Sequence, residues 1–209
     1  MSSAPRAIVP DTNVYLAYSC VRHLEPQRPE AEVVFGNAGY DLYATTELLA
    51  ELERKARRLE VIYTHLLRYL EVHGNLAGFS TPGMSDRERR RVTDLGFQIS
   101  LPEDLALLRM DLRRFRSRLS EARGRLKPDI IDEAPDESYV CSVHDAWSTI
   151  GQTDARILSQ YFGWGAKRSS ASTFLTWDKR IFKRRRRLAS MFTRLRSIDL
   201  SLCSITDDV

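Results

Sequence analysis

Apolar residues in this chain run in short blocks divided by polar turns. Ala7, Ile8 and Val9 lead into Pro10, Asp11, Thr12 and Asn13, after which residues 14–21 are again largely apolar. Asp, Thr and Asn are good helix starters, so the order reads as a buried strand, a polar turn and a helix directly after it. Residues 26–39 look like a loop with a short helix, and Tyr40 to Ala44 like a second strand closed by Thr45 and Thr46. Leu48, Leu52, Leu59, Ile62, Leu66 and Leu70 then recur at helical spacing; Thr46 is expected as the N-cap and Gly74 with Asn75 as the stop.

Gly78, Ser80, Pro82 and Gly83 make the most linker-like stretch. Beyond it, Leu105, Leu108, Leu112, Phe115, Leu119, Ala122 and Leu126 alternate steps of three and four, which places an apolar seam on one face of an arginine-rich helix. Such a seam packs on its own domain or against a second copy of the chain. Residues 129–145 carry Asp129, Asp132, Glu133, Asp136, Glu137 and Asp145 beside Pro128 and Pro135, so an exposed acidic loop is expected there. A helix then starts near Asp154 and runs through Ile157, Leu158 and Phe162. A third strand over residues 172–176 ends at Trp177 and Asp178, a basic helix follows through Ile181, Phe182, Leu188 and Met191, and residues 195–205 alternate like a last strand.

Strands alternating with helices imply an α/β fold around a parallel sheet, whose ligands gather at the carboxyl ends of the strands. The 209 residues fit one domain, residues 1–209, with a helical insertion at about 76–150. Hydrophobic content of 43% and charged content of 29% are those of an ordinary globular chain. The three cysteines, Cys20, Cys141 and Cys203, have no zinc-like spacing and are expected to be reduced and mostly buried. With no apolar leader in residues 1–5 and no long apolar run, a cytoplasmic protein with no membrane partner is expected.

The net charge of +4 matters less than where the cations lie. Residues 85–127 hold twelve Lys/Arg against seven Asp/Glu, and Lys183, Arg184, Arg185, Arg186 and Arg187 form an unbroken run. Such patches suit polyphosphate partners, although a basic run is also an ordinary solvated helix face.

The candidate chemistry lies in the acids. Asp11 and Asp178 each end a short apolar strand, while Glu51 and Asp154 lie near the starts of helices bordering the same sheet edge. Singly, each reads as a helix cap. Together, carboxylates brought this close repel one another and call for a divalent cation. Hard oxygen donors suit Mg²⁺ or Mn²⁺, whereas His23, His65, His73 and His144 are too scattered to suggest zinc.

The segment Ile8-Val9-Pro10-Asp11-Thr12-Asn13-Val14-Tyr15-Leu16 resembles the opening motif of the PIN-domain (PilT N-terminus) ribonucleases, in which an apolar strand ends in Asp-Thr-Asn or Asp-Thr-Ser. Thr46-Glu47-Leu48-Leu49-Ala50-Glu51-Leu52 is similar to the second motif of that family and selects Glu51 over Glu47. Thr153-Asp154-Ala155-Arg156-Ile157-Leu158 is similar to the third, and Thr173-Phe174-Leu175-Thr176-Trp177-Asp178 to the fourth. The likeness covers residues 7–70 and 151–204 and finds no counterpart for 74–150.

This resemblance implies a three-layer PIN-like fold and a metal-dependent endoribonuclease that leaves a 5′-phosphate and a 3′-hydroxyl. Asp11, Glu51, Asp154 and Asp178 would hold the metal, Asn13 and Thr176 would support them, and Lys183 to Arg187 would follow the RNA backbone. The partners it admits are RNA, a second copy of the chain in a homodimer, and an antitoxin or ribonucleoprotein component. Two rivals stand beside it. A phosphohydrolase using Asp11 as nucleophile usually carries Asp-x-Asp, and Asn13 occupies the third position here. The other rival is a catalytically inactive PIN-like RNA-binding or scaffold protein.

Overall fold

A computed structural model describes residues 5–19, 28–86, 88–90, 92–93 and 102–208. Cys20, His23, Arg87 and Arg91 lie outside the described residues. Four strands form the sheet: β1 (Arg6–Pro10), β2 (Tyr40–Leu42), β3 (Ser172–Leu175) and β4 (Cys203–Thr206). All neighbours are parallel, in the order β2-β1-β3-β4. Around the sheet lie α1 (Thr12–Ser19), α2 (Arg28–Gly36), α3 (Thr46–His73), α4 (Pro102–Gly124), α5 (Glu137–Ala146), α6 (Gln152–Ala166) and α7 (Lys179–Arg196). Helix α1 packs on α2, α3 and α4, whereas α6 packs on α5 and α7. This is the layered α/β architecture with a central parallel sheet that the strand–helix alternation implies.

Both central strands are buried along their length except for Arg6, as expected of a sheet covered on two faces. The chain leaves β1 toward β2 on one side and returns to β3 on the other. The direction of winding therefore reverses between β1 and β3, and the crevice of such a sheet opens at the carboxyl ends of those two strands. Asp11 stands at that point.

Helix α3 begins one residue earlier than expected. Thr45, in extended conformation, accepts from Leu48 N through its side chain and is the N-cap in place of Thr46. All six expected apolar positions from Leu48 to Leu70 are buried, and Gly74, at φ 67°, closes the helix in a left-handed conformation that favours glycine. The outer half of α3 meets the seam of α4 in a second cluster, where Leu108 and Phe115 are buried and Leu105, Leu112 and Leu119 pack beside them. The seam thus packs on its own chain.

Four expectations need correction. Residues 137–146 form helix α5 and not an exposed acidic loop, because Tyr139, Val140 and Val143 recur at helical spacing and bury themselves against α6 and α7. Asp136 is the N-cap of α5, and the flanking Ile131 is buried as well. The second strand is Tyr40–Leu42, shorter than 40–44, although Tyr43 N still donates to Ile8 O at 2.8 Å. The last strand is Cys203–Thr206; Leu195 and Arg196 complete α7, which Ser197 ends at φ 54°. Cys141 is exposed, since it faces outward between the inward Val140 and Val143, and Cys203 is half-buried.

Residues 126–131 run beside β2. Lys127 N donates to Leu42 O at 2.8 Å, Ile131 N to Ala44 O at 2.9 Å, and Thr46 N to Ile131 O at 3.1 Å. Parallel bridges join Leu126 to Leu42 and Ile131 to Thr45, which covers an otherwise open sheet edge.

Gly165 marks the tightest approach between α6 and the sheet: an added Cβ would overlap Cys203 Sγ and come within 3.2 Å of Ser172 Oγ. Gly165→Ala is expected to destabilise the fold by roughly 1–3 kcal/mol through overpacking. Cys203→Ala in the same chain should restore part of that loss, measured as a double-mutant cycle by denaturant unfolding.

Candidate active site

The site is built by the register of the sheet. Pro10 lies opposite Leu175, so the next residues of the two chains, Asp11 and Thr176, emerge side by side, with Asp11 N donating to Leu175 O at 2.8 Å. Asp11 is 5% exposed. Its Oδ1 accepts from Thr12 N at 2.7 Å, and its Oδ2 accepts from Thr176 Oγ1 at 2.7 Å and from Asn13 Nδ2 at 2.8 Å. Asn13 and Thr176 therefore hold Asp11. Asn13 Oδ1 also accepts from Trp177 N at 3.4 Å, tying the turn after β1 to the turn after β3.

Glu51 reaches the same edge from the second turn of α3, where its Oε2 accepts from Thr12 Oγ1 at 2.5 Å. Glu47, one turn earlier, is held away by Arg156, whose Nε donates to Glu47 Oε1 at 2.8 Å. The two glutamates therefore face different partners. Asp154 enters from the first turn of α6, where it accepts from Gly151 N at 3.2 Å. Asp178 caps α7, accepting from Arg180 N at 2.8 Å. Both therefore act as helix-start acids while sharing one electrostatic neighbourhood with Asp11 and Glu51.

Burial dominates the protonation of the inner acids. It pushes Asp11 up to about 7, against the Thr176 hydrogen bond, with the charges of Asp154 and Glu51 adding to the rise and Lys55 opposing it. Asp154 is raised for the same reasons, burial foremost and then Glu51 and Asp178, with Lys55 and Arg180 pulling the other way. Asp178 is lowered: burial alone would raise it, but the hydrogen bonds and charge of Arg180 outweigh burial.

Two cations and one hydroxyl in this neighbourhood escaped the sequence reading. Lys55 Nζ lies 2.7 Å from Glu51 Oε1, and the Arg180 guanidinium grips Asp178 through Nε, at 2.9 and 3.0 Å, and through Nη2. Thr12 bridges Asp11 and Glu51. Their spacings carried the signal: Lys55 is four residues after Glu51 on a helix, and Arg180 two after Asp178 in a helix start.

Whether these residues suit a divalent metal is decided by donor type and charge. Four carboxylates supply hard oxygen donors, and burial, with the charges of Asp154 and Glu51, favours the protonated form of Asp11. Among the described residues, though, no three His, Cys, Asp or Glu side chains stand close enough to enclose an ion as they are now oriented. Glu51 and Asp178 are turned onto Lys55 and Arg180. By donor type the carboxylates are the hard oxygen ligands that Mg²⁺ or Mn²⁺ takes, but their present orientation encloses no ion.

The run at 183–187 follows the site on α7 but does not form one stripe, since successive residues turn about 100° around a helix. Ile181, Leu188 and Phe192 define its buried face. Arg185 lies near that face, its guanidinium 4.1 Å from the Phe182 ring centre. Lys183 and Arg186 are exposed on the outer side, while Arg184 and Arg187 share a flank with Arg180.

No protein-family model matches the chain, and neither a curated protein nor a solved structure is detectably similar to it. Among the described residues, no helix is long and apolar enough to cross a membrane.

The raised Asp11 couples stability to pH. An unfolded aspartate titrates near 3.8 and the folded one near 7, so stability is fully present below the lower value and is lost as pH rises through the upper one. In chelator, the thermal midpoint is expected to fall between pH 4 and pH 7. Asp11→Asn should flatten that fall and be the more stable protein at pH 8, as measured by thermal unfolding across the series.

Proposed function

We infer that the protein is a metal-dependent endoribonuclease of PIN-like type, hydrolysing RNA phosphodiester bonds at the carboxylate site. One observation carries this reading: four acids from four separate segments, Asp11, Glu51, Asp154 and Asp178, share one electrostatic neighbourhood at the carboxyl ends of β1 and β3, with Asp11 buried and raised. Carboxylates are costly to bury together, and a divalent cation is the partner that makes such a cluster stable. Mg²⁺ or Mn²⁺ bound there would activate water and stabilise charge on the phosphodiester. Asp11 and Asp154 supply the fixed donors. Thr176 and Asn13 orient Asp11, and Glu51 and Asp178 complete the set once they turn from Lys55 and Arg180.

The order of the four motifs supports the PIN-like assignment, as does the parallel sheet with its acids at the carboxyl edge. The flank of Arg180, Arg184 and Arg187 leads away from the site and suits a phosphate backbone. The second reading, an inactive PIN-like RNA-binding or scaffold protein, draws on the pairing of Glu51 with Lys55 and Asp178 with Arg180, which balances those two acids without a metal.

Cleavage of a single-stranded RNA in Mn²⁺ or Mg²⁺ separates the two. The nuclease reading expects products with 5′-phosphates, loss of cleavage to background in Asp11→Asn and Asp154→Asn, and a loss of about 10–100-fold in Thr176→Val. A folded wild-type protein that leaves RNA intact over a range of both metals would favour the scaffold. Replacing Arg184 and Arg187 by alanine should lower the dependence of log affinity for RNA on log salt by about 0.7 for each arginine. An unchanged salt slope would remove that flank from the RNA path.

A further inference from the structure

Arg180 lies in the first turn of α7, and its side chain spans two carboxylates from different elements. Nε is 2.9 and 3.0 Å from the two oxygens of Asp178, and Nη2 meets Asp178 Oδ2 while lying 3.9 Å from Asp154 Oδ2. Nη1 donates to Thr149 O at 2.8 Å, which anchors the guanidinium beside the two carboxylates. The helix does not need this fork for its start, because Asp178 is already the cap through the Arg180 backbone N–H. The side chain is about half exposed, at 52%, whereas those of Asp178 and Asp154 are both at 17%.

These facts set up a competition. A carboxylate whose two oxygens lie in a guanidinium fork has its strongest acceptor directions taken, and a cation binding there must displace the fork. Release is open to the guanidinium because the Arg180 side chain is half exposed and water can take over its donors. Lys55 differs: it holds Glu51 alone, from the next turn of the same helix. Arg180 is the cation whose side chain faces both Asp154 and Asp178.

Building on the reading of the site as a metal centre, we propose that Arg180 is a built-in competitor of the divalent cation. Its guanidinium neutralises Asp178 and Asp154 in the metal-free protein, and ion entry displaces it. Once released, it joins Arg184 and Arg187 on their shared flank of α7 as a phosphate contact. Arg184 is already adjacent, with its Nη1 donating to Arg180 O at 3.1 Å. In this arrangement the same residue keeps the acids together before the metal arrives and favours the polyanion afterwards.

Titration of the full chain with Mn²⁺ alone, by calorimetry, tests this without reference to cleavage. Arg180→Gln keeps a donor for Thr149 O and removes the charge; it should bind Mn²⁺ about tenfold more tightly than wild type, the least effect expected of one opposite charge beside a carboxylate. Equal or weaker binding in a folded Arg180→Gln protein would overturn the competition while leaving the metal site standing. Should that variant fail to fold, Arg180→Lys takes its place: lysine keeps the charge but loses the bidentate fork, so binding should be tighter by a smaller factor, and equal or weaker binding again overturns the proposal. No Mn²⁺ binding by wild type and by either variant overturns the reading of the site itself.

Discussion

A buried carboxylate at the switch point of the sheet is the constraint to which the rest of the site answers. Asp11 gives up water for three hydrogen bonds, from Thr12 N, Asn13 and Thr176. Those bonds do not compensate it: the shift from 3.8 to about 7 corresponds to roughly 4 kcal/mol against the charged form at 1.36 kcal/mol per unit. Burial is the larger part of that cost and the charges of Asp154 and Glu51 the rest, with Lys55 relieving some of it. A threonine or asparagine there would avoid this cost, so the charged carboxylate weakens the fold as pH rises toward 7.

The topology explains why the cost falls at this residue. The winding reverses between β1 and β3, and the β1–β3 register brings Asp11 and Thr176 out together at that point. Helices α3, α6 and α7 then direct their first turns toward the same edge, each carrying an acid near its amino end. The helix dipoles there favour negative charge, which offsets part of the mutual repulsion of Glu51, Asp154 and Asp178. Lys55 and Arg180 offset more of it, each from a position on the same helix as the acid it pairs.

Much of this was legible in the sequence because it depends on short-range patterns. The strand–turn–helix at Ala7 to Val14, the apolar spacing of α3 and the seam of α4 are periodicities read directly from residue type. Selection of Glu51 over Glu47 came from motif position, and the physical reason is visible only in space, where Arg156 of α6 draws Glu47 away. Helix α5 was missed because six acids and two prolines between 128 and 145 outweigh three inward residues, Tyr139, Val140 and Val143, whose partners on α6 and α7 come from distant sequence. The pairing of residues 126–131 with the β2 edge was illegible for a related reason. Only Leu126 and Ile131 form bridges, and the strand-like stretch between them contains Pro128 and two further charged residues.

The capping roles of Asp154 and Asp178 are the natural objection to reading them as ligands, since acids at helix starts are common. Here the caps and the cluster support each other. Gly151 N donates to one oxygen of Asp154, and Arg180 N to one oxygen of Asp178, so each carboxylate is anchored at a helix start. A cap by itself is satisfied at any helix start in the molecule, as Asp136 shows at α5, far from other acids of the crevice. What sets Asp154 and Asp178 apart is that the starts of α6 and α7 converge on the buried carboxylate after β1, so two local conveniences become parts of one charged site.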